Sequence, residues 1–380
     1  MKVAAGTLLA LHPVAILCAV AAVQPCKVRL GLSDAEAWQI TSSFILGFGL
    51  WQIPAGFVCD AVARRTALAW SLVLFIAASF GCALATRYLP LVVCRFLQGA
   101  GVAGAVVGSR ALLSDFFGVR GAAAVLAQAF TAISFASLAF PPAAQALGDT
   151  LGGGAIFVAM ALFAAPILLL VGKLPSTDRV AVAQIAALPQ RCGIILRNPV
   201  FLGFLATTSS SYLGYYTFVT HAPIFLPRRW AVTPAELAWV ISAMSLAYMV
   251  GSLACHRLLR AWPPATVIAL AGLGNLAIAA GLIGNELVGG NFTAYLALQL
   301  AYVLCHALHQ LCGQPALLGP FPGFAATAAG LAGTLIPLSA IAVDTFANHY
   351  MGRQDSFIPL LIASASILAG LAALRASRYR

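Results

Sequence analysis

Arginine, glutamine and glycine stand close together in Arg95-Phe-Leu-Gln98-Gly99-Ala-Gly101, inside an otherwise apolar run. Charged residues make up only 8% of the chain, so each one inside such a run matters. An unpaired charge in hydrocarbon costs several kcal/mol, which makes a buried ionisable group a functional-site candidate by default. Arg95 must therefore meet a carbonyl, a carboxylate or water, or else snorkel to the headgroups. Other titratable groups also lie in apolar runs. Asp344 sits near the end of one, where water could bring protons to it. His306 and His309, at i and i+3, share a helical face, and histidine is neutral enough to be buried yet protonatable. His12 has the same standing. Each of these either carries protons or makes a structural hydrogen bond. Thr208, Tyr212 and Tyr215 fall near one helical face, which either lines a cavity for an amphiphilic solute or packs against another helix.

The elements that must hold these residues are membrane spans. Hydrophobic residues are 62% of the chain, and apolar runs of about 20 residues, the length that crosses hydrocarbon, recur throughout. They predict spans at about 4–25, 38–60, 66–86, 89–111, 121–146, 153–172, 199–222, 235–257, 264–284, 291–313, 324–347 and 357–375. The fold class is thus all-α and polytopic, with twelve transmembrane helices. The most polar stretch, 173–198, divides residues 1–172 from 199–380 as two six-span halves. A cleaved leader ending near Ala19-Val20-Ala21 is the competing reading of the first run. It would leave an odd number of spans and put the C-terminal arginines outside, so the first span is kept.

Ser33-Asp34-Ala35-Glu36 and Thr233-Pro234-Ala235-Glu236 are matching capping boxes that open the second and eighth spans, a faint internal repeat. Orientation follows from the bases. With both termini cytoplasmic, fourteen of the 21 Lys and Arg residues face inside. Six face outside (Lys27, Arg29, Arg87, Arg228, Arg229 and Arg353), and Arg95 lies in a span. The net charge of +11 is this loop bias and implies no nucleic acid, since no basic stripe with interleaved aromatics exists. The nine cysteines form no Cys-x-x-Cys and, with histidine, no zinc spacing. No metal, cofactor or disulfide framework is expected.

Between the second and third spans the chain reads Gly56-Phe-Val-Cys-Asp60-Ala-Val-Ala-Arg64-Arg65, and at the end of the fourth Ser109-Arg110-Ala-Leu-Leu-Ser-Asp115. With the Arg95–Gly101 motif, these resemble the loop and fourth-helix signatures of the major facilitator superfamily, and within it the bicyclomycin-resistance (Bcr/CflA) branch of drug:proton antiporters. Phe218-Val-Thr-His-Ala222-Pro223 and Ala325-Ala-Thr327-Ala-Ala-Gly330-Leu-Ala-Gly333 resemble that branch's seventh- and eleventh-span segments. The resemblance implies a buried arginine coupled to proton movement near the transport cavity. It also implies that Gly56, Asp60, Arg64 and Asp115 form a cytoplasmic latch between the halves; simple loop solvation is the other reading of these charges. The chain departs from the pattern at Ala61 and Ala63, at Phe140-Pro141-Pro142-Ala143-Ala144 in the fifth span, and at Leu17, where the branch carries a first-span acid.

Two classes of function compete. A polytopic enzyme needs paired carboxylates, a His-Glu-x-x-His zinc pair or a nucleophile elbow, and none is present. The expected function is therefore monomeric secondary transport in the bacterial inner membrane. Its cargo is a small amphiphilic drug or metabolite, a siderophore among the options. Export is coupled to protons through Arg95, Gln98, Asp344, His306 and His309, with Thr208, Tyr212, Tyr215 and His12 in the cavity. A facilitator or sensor without coupling is the alternative that the absent first-span acid favours. The topology is testable with a membrane-impermeant maleimide: Gly289→Cys should be labelled from outside intact cells and Ser176→Cys should not. The reverse pattern refutes the orientation.

Overall fold

The computed structural model describes residues 2–174, 188–321, 325–351 and 356–378, with side chains other than those at 2–5, 57, 60–61, 110–111, 113–137, 188–189, 325–326 and 347–351. Every regular element among them is a helix: α1 (Lys2–Leu30), α2 (Asp34–Ala61), α3 (Arg64–Leu84), α4 (Tyr88–Leu151), α5 (Gly153–Gly172), α6 (Leu188–Leu196), α7 (Pro199–Trp230), α8 (Pro234–Ala261), α9 (Pro264–Leu287), α10 (Phe292–Leu318), α11 (Ala325–Met351) and α12 (Phe357–Ala376). The chain forms two compact units. One comprises Met1–Ala186 with Thr233–Ser242, the other Ala187–Val232 with Ala243–Arg380.

Several predicted boundaries move. Helices run past the apolar spans because hydrogen bonding continues into the polar flanks, as in α7, which ends only at Ala231 with left-handed φ of 53°. The fourth and fifth expected spans are joined in one unbroken helix, α4. The junction, Phe116-Phe-Gly-Val-Arg-Gly-Ala-Ala-Ala124, contains no proline to remove a backbone donor. The polar stretch after α5 ends in a short helix, α6. Among the described residues nine helices are long and apolar enough to cross a membrane, or ten if the bent pair Gln190–Leu196 and Pro199–Trp230 counts as one. Helix α2 carries Thr41, Ser42, Ser43 and Gln52 along its length. All four are buried, so its polar stripe points into the bundle.

Helix ends are closed by local chemistry. At Ser33 and Glu36 both halves of the capping box form, and the Thr233–Glu236 box forms likewise. The Ser33 hydroxyl, then its amide, lowers the Glu36 carboxyl below its ordinary value, so the charged cap persists until acidification passes through that lowered value. Three bases expected outside also tie helix ends. Lys27 pairs with Asp34. Arg29 donates to the Ala85 carbonyl at 3.0 Å, just beyond α3. Arg229 reaches Glu286 at 2.9 Å while its guanidinium lies over Trp230.

Close crossings explain the glycines of the Arg95 motif. Without a hydrophobic drive between helices in lipid, association relies on tight packing and internal hydrogen bonds. A Cβ at Gly99 would stand 2.0 Å from the Phe44 carbonyl oxygen, and one at Gly47 would stand 2.0 Å from that of Phe96, so α2 and α4 meet backbone to backbone. At Gly101 a Cβ would lie 2.8 Å from the Ser71 oxygen on α3. By contrast, nothing lies within 4 Å of the Cβ position at Gly56.

Gly99→Ala should therefore lower the melting temperature of the detergent-solubilised protein, with overpacking costing about 1–3 kcal/mol. Gly56→Ala should hold or raise it, because alanine in a helix is favoured over glycine by up to about 1 kcal/mol. Equal melting points for the two variants would refute this account of the crossing.

Candidate functional site

In the first unit Arg95 and Gln98, at i and i+3 on α4, point to the same side. Arg95 is fully buried, so its head has not snorkelled to a surface. Its Nε donates to the Ile40 carbonyl of α2 at 2.7 Å, and Nη1 donates to Gln98 Oε1 at 2.6 Å. Gln98 Nε2 in turn donates to the Ser79 hydroxyl of α3 at 2.6 Å. The guanidinium lies 4.6 Å from the Phe44 ring centroid and 5.9 Å from that of Phe157. Ring faces attract a cation, so these two partly offset its desolvation. Among the described residues no carboxylate pairs with Arg95, and Nη2 makes no hydrogen bond. The unit thus holds a buried positive charge fixed by one carbonyl, one amide and two rings.

His12 on α1 is half-buried, its ring 4.3 Å from that of Phe48 on α2. Arg64, the first residue of α3, is buried and donates to the Cys59 carbonyl at the end of α2. The side chains of its expected partners Asp60 and Asp115 lie outside the described residues.

In the second unit α7 is the hub. Tyr302, His306 and Gln310 of α10, spaced by four, meet it in succession. The Tyr302 hydroxyl donates to the Ser211 carbonyl at 2.7 Å, and its approach uses the space at Gly214, where a Cβ would be 2.4 Å from that hydroxyl. One turn on, His306 Nδ1 and the Ser211 hydroxyl share a hydrogen bond of 2.8 Å. Gln310 Nε2 then donates to the Thr208 carbonyl at 3.2 Å. The Thr208 hydroxyl donates back to the Phe204 carbonyl at 2.8 Å, and a Cβ at Gly313 would stand 2.6 Å from its methyl. Tyr215 lies flat on His306, with ring centroids 4.9 Å apart and planes at 9°. Tyr212, and Tyr248 from α8, stand 6.3 and 6.0 Å from the same ring. The two histidines do not act on one partner: His309 turns to Asn275 of α9, with Nε2 3.1 Å from the amide nitrogen.

Asp344 is not open to water, as its place near the end of α11 suggested. It is fully buried, with Oδ1 2.9 Å from His221 Nε2 and Oδ2 within 3.2 Å of the Thr220 hydroxyl, both on α7. His221 is equally buried. A carboxyl and an imidazole in this contact can share one proton, and a buried charge of either sign is tolerated only beside such a partner. The sequence reading missed His221, Ser211, Tyr248 and Ser79. His221 lies inside a segment singled out above, but no local signal says that α7 meets α11 at that depth.

Replacing Arg95 tests the first cluster. Arg95→Ala should abolish transport while protein still accumulates in the membrane. Arg95→Lys should retain a fraction, because lysine keeps the charge but loses the planar fork. Normal transport by the alanine variant would reduce Arg95 to a packing residue.

The Major Facilitator Superfamily model matches residues 4–374. Among relatives, YdgK of Bacillus subtilis (strain 168), an uncharacterized MFS-type transporter, is 26% identical over 219 residues, 55% of this chain and 53% of that protein. The multidrug resistance protein MdtL of Citrobacter koseri is 27% identical over 258 residues, 67% of this chain and 65% of that one. MdtL of Escherichia coli (strain K12) is 26% identical over 243 residues, 63% and 61%. The chain thus spans between about half and two thirds of the length of these relatives. Among solved structures a D-xylose–proton symporter superposes with a TM-score of 0.76 at 16% identity, covering 98% of this chain and 96% of that one. A partially occluded inward-open xylose transporter of E. coli gives 0.74 at 16% identity, covering 97% and 96%. At these identities the likeness is one of fold. With nearly its whole length matched, the chain belongs to the Major Facilitator Superfamily.

Proposed function

We propose that this transporter exports a small amphiphilic drug or metabolite across the bacterial inner membrane, driven by protons. The observation that carries the reading is the buried pair of Asp344 and His221, a titratable couple with no exposed atom to explain it as surface charge. The MdtL relatives, named for multidrug resistance, support the class of cargo.

In this scheme residues 1–172 and 199–380 rock as two halves about the 173–198 link, in a monomer with both termini cytoplasmic. The Asp60, Arg64 and Asp115 charges bias the outward-open state. Two states within a few kcal/mol suffice for alternating access. One proton added to or withdrawn from the Asp344–His221 pair changes its net charge. Burial makes that change costly in one state and cheap in a state that admits water. Thr220 stays bonded to the carboxyl and holds it towards the imidazole. Coupling then does not need a first-span acid, which the chain lacks at Leu17. Arg95 supplies the fixed opposing charge in the other half. His306 and His309 are the second choice for the titrating group. Uncoupled facilitation is the competing reading, and the absent first-span acid favours it.

Vesicle transport decides between them. Asp344→Asn should eliminate proton-driven accumulation yet leave substrate binding to the detergent-solubilised protein partly intact. Should that variant and the double His306→Ala, His309→Ala variant both keep full uncoupler-sensitive transport, the coupling scheme is wrong. Wild-type transport indifferent to uncouplers would establish the facilitator.

A further inference from the structure

We infer that Cys255 of α8 and Cys312 of α10 are a reversible oxidation site, a dithiol that closes to a disulfide and pins the end of α8. It involves neither cargo nor protons and stands or falls apart from the export reading.

The two Sγ atoms lie 3.5 Å apart, between different helices and across 57 residues of sequence. Both are free thiols and both are buried. A disulfide bond is about 2.0 Å long and needs its α-carbons within about 7 Å of each other. The sulfurs are already neighbours, so the requirement falls on the backbones behind them. One turn before Cys255, a Cβ at Gly251 would stand 2.6 Å from the Leu304 carbonyl oxygen and 2.9 Å from the Ala307 Cβ of α10. The two helices thus meet closely just before the thiols. Rotation of the side chains, rather than travel of the helices, brings sulfur to sulfur.

Buried cysteine commonly serves as a small apolar residue. Cys305, two turns before Cys312 on α10, is that case, since its sulfur lies beside Gly274 of α9, where a Cβ would be 2.9 Å from it. Cys312 instead meets a second sulfur. The pair also lies towards the polar ends of its helices: Arg257 and Gln314, each two residues beyond a cysteine, are exposed. The approach for a small polar oxidant is therefore short. Helix α10 is a firm anchor, because Tyr302, His306 and Gln310 bond it to α7. The end of α8 is less covered, with Leu253, His256, Leu259 and Arg260 exposed beside Arg257. A covalent link at Cys255 holds it where it is least held by packing.

The oxidant is a peroxide. One thiolate attacks a peroxide oxygen, the O–O bond breaks, and the departing hydroxide takes up a proton as water, leaving a sulfenic acid. The second sulfur then attacks the first. An S–S bond forms, the S–O bond breaks, and hydroxide leaves with the second thiol's proton as water. Two thiols and one hydrogen peroxide thus give one disulfide and two waters, with sulfur oxidised and peroxide oxygen reduced. A dithiol reductant reverses the step by exchange through a mixed disulfide.

The purified full chain in detergent is treated with hydrogen peroxide, its remaining thiols are alkylated, and its peptides are mapped by mass spectrometry beside a reduced sample. A peptide pair linked through Cys255 and Cys312 should appear with peroxide and vanish with dithiothreitol. Amide hydrogen exchange over residues 253–261 should slow by about threefold or more in the linked protein relative to the reduced one. Cys255→Ser and Cys312→Ala should each abolish both effects. The comparison of oxidised with reduced wild type needs no variant, so a variant that does not fold leaves the test intact. The site is refuted if peroxide yields no such linked pair, if the two cysteines pass instead to sulfinic or sulfonic acid, or if the link resists the reductant. It is equally refuted if exchange does not slow in the linked protein, or slows as much in a folded variant.

Discussion

Hydrocarbon offers no hydrogen bonds, so every polar group carried into it must find its partner within the protein. Arg95 shows the constraint at its most severe. A guanidinium with no exposed atom is held by a backbone carbonyl of α2, a glutamine on its own helix and the faces of Phe44 and Phe157. Those partners can reach it only because α2 and α4 cross with backbones in contact at Gly47 and Gly99. The glycines and the arginine of one seven-residue motif are thus parts of a single device. The small residues bring a carbonyl close enough to serve the charge that the large one brings in.

The second unit solves the same problem differently. It strings hydroxyl, aromatic and imidazole groups along α7. Tyr302, Ser211–His306 and Gln310–Thr208 tie α10 to it, and Thr220 and His221 tie α11 through Asp344. One unit therefore buries a guanidinium, and the other a carboxyl beside an imidazole.

The helix termini show where charge outside the hydrocarbon goes. Lys27, Arg29 and Arg229 count as loop bases in an orientation argument, yet each is engaged with a neighbouring helix end or acid. Orientation by loop charge and closure of helix ends draw on the same residues. A count of bases by itself understates how specifically they are placed.

The sequence by itself determined the helical class, most of the spans, both capping boxes and the family, because hydropathy, cap chemistry and the Arg95–Gly101 spacing are local properties of the chain. It also singled out Arg95, Gln98, Asp344 and His306 as residues with something to explain. The partners were another matter. Whether Asp344 meets water or His221, whether His306 and His309 serve one neighbour or two, and which residues Thr208 bonds to all depend on which helices adjoin and at what depth. Helical periodicity gives the direction of a side chain about its own axis but not the height or identity of the helix opposite. That the fourth and fifth spans run together was equally hidden, since the apolar pattern lapses there while the backbone hydrogen bonds continue. Only the tertiary structure decided these points, because a hydrogen bond across 123 residues of sequence, as from His221 to Asp344, is set by the packing of helices and leaves no mark on either segment alone.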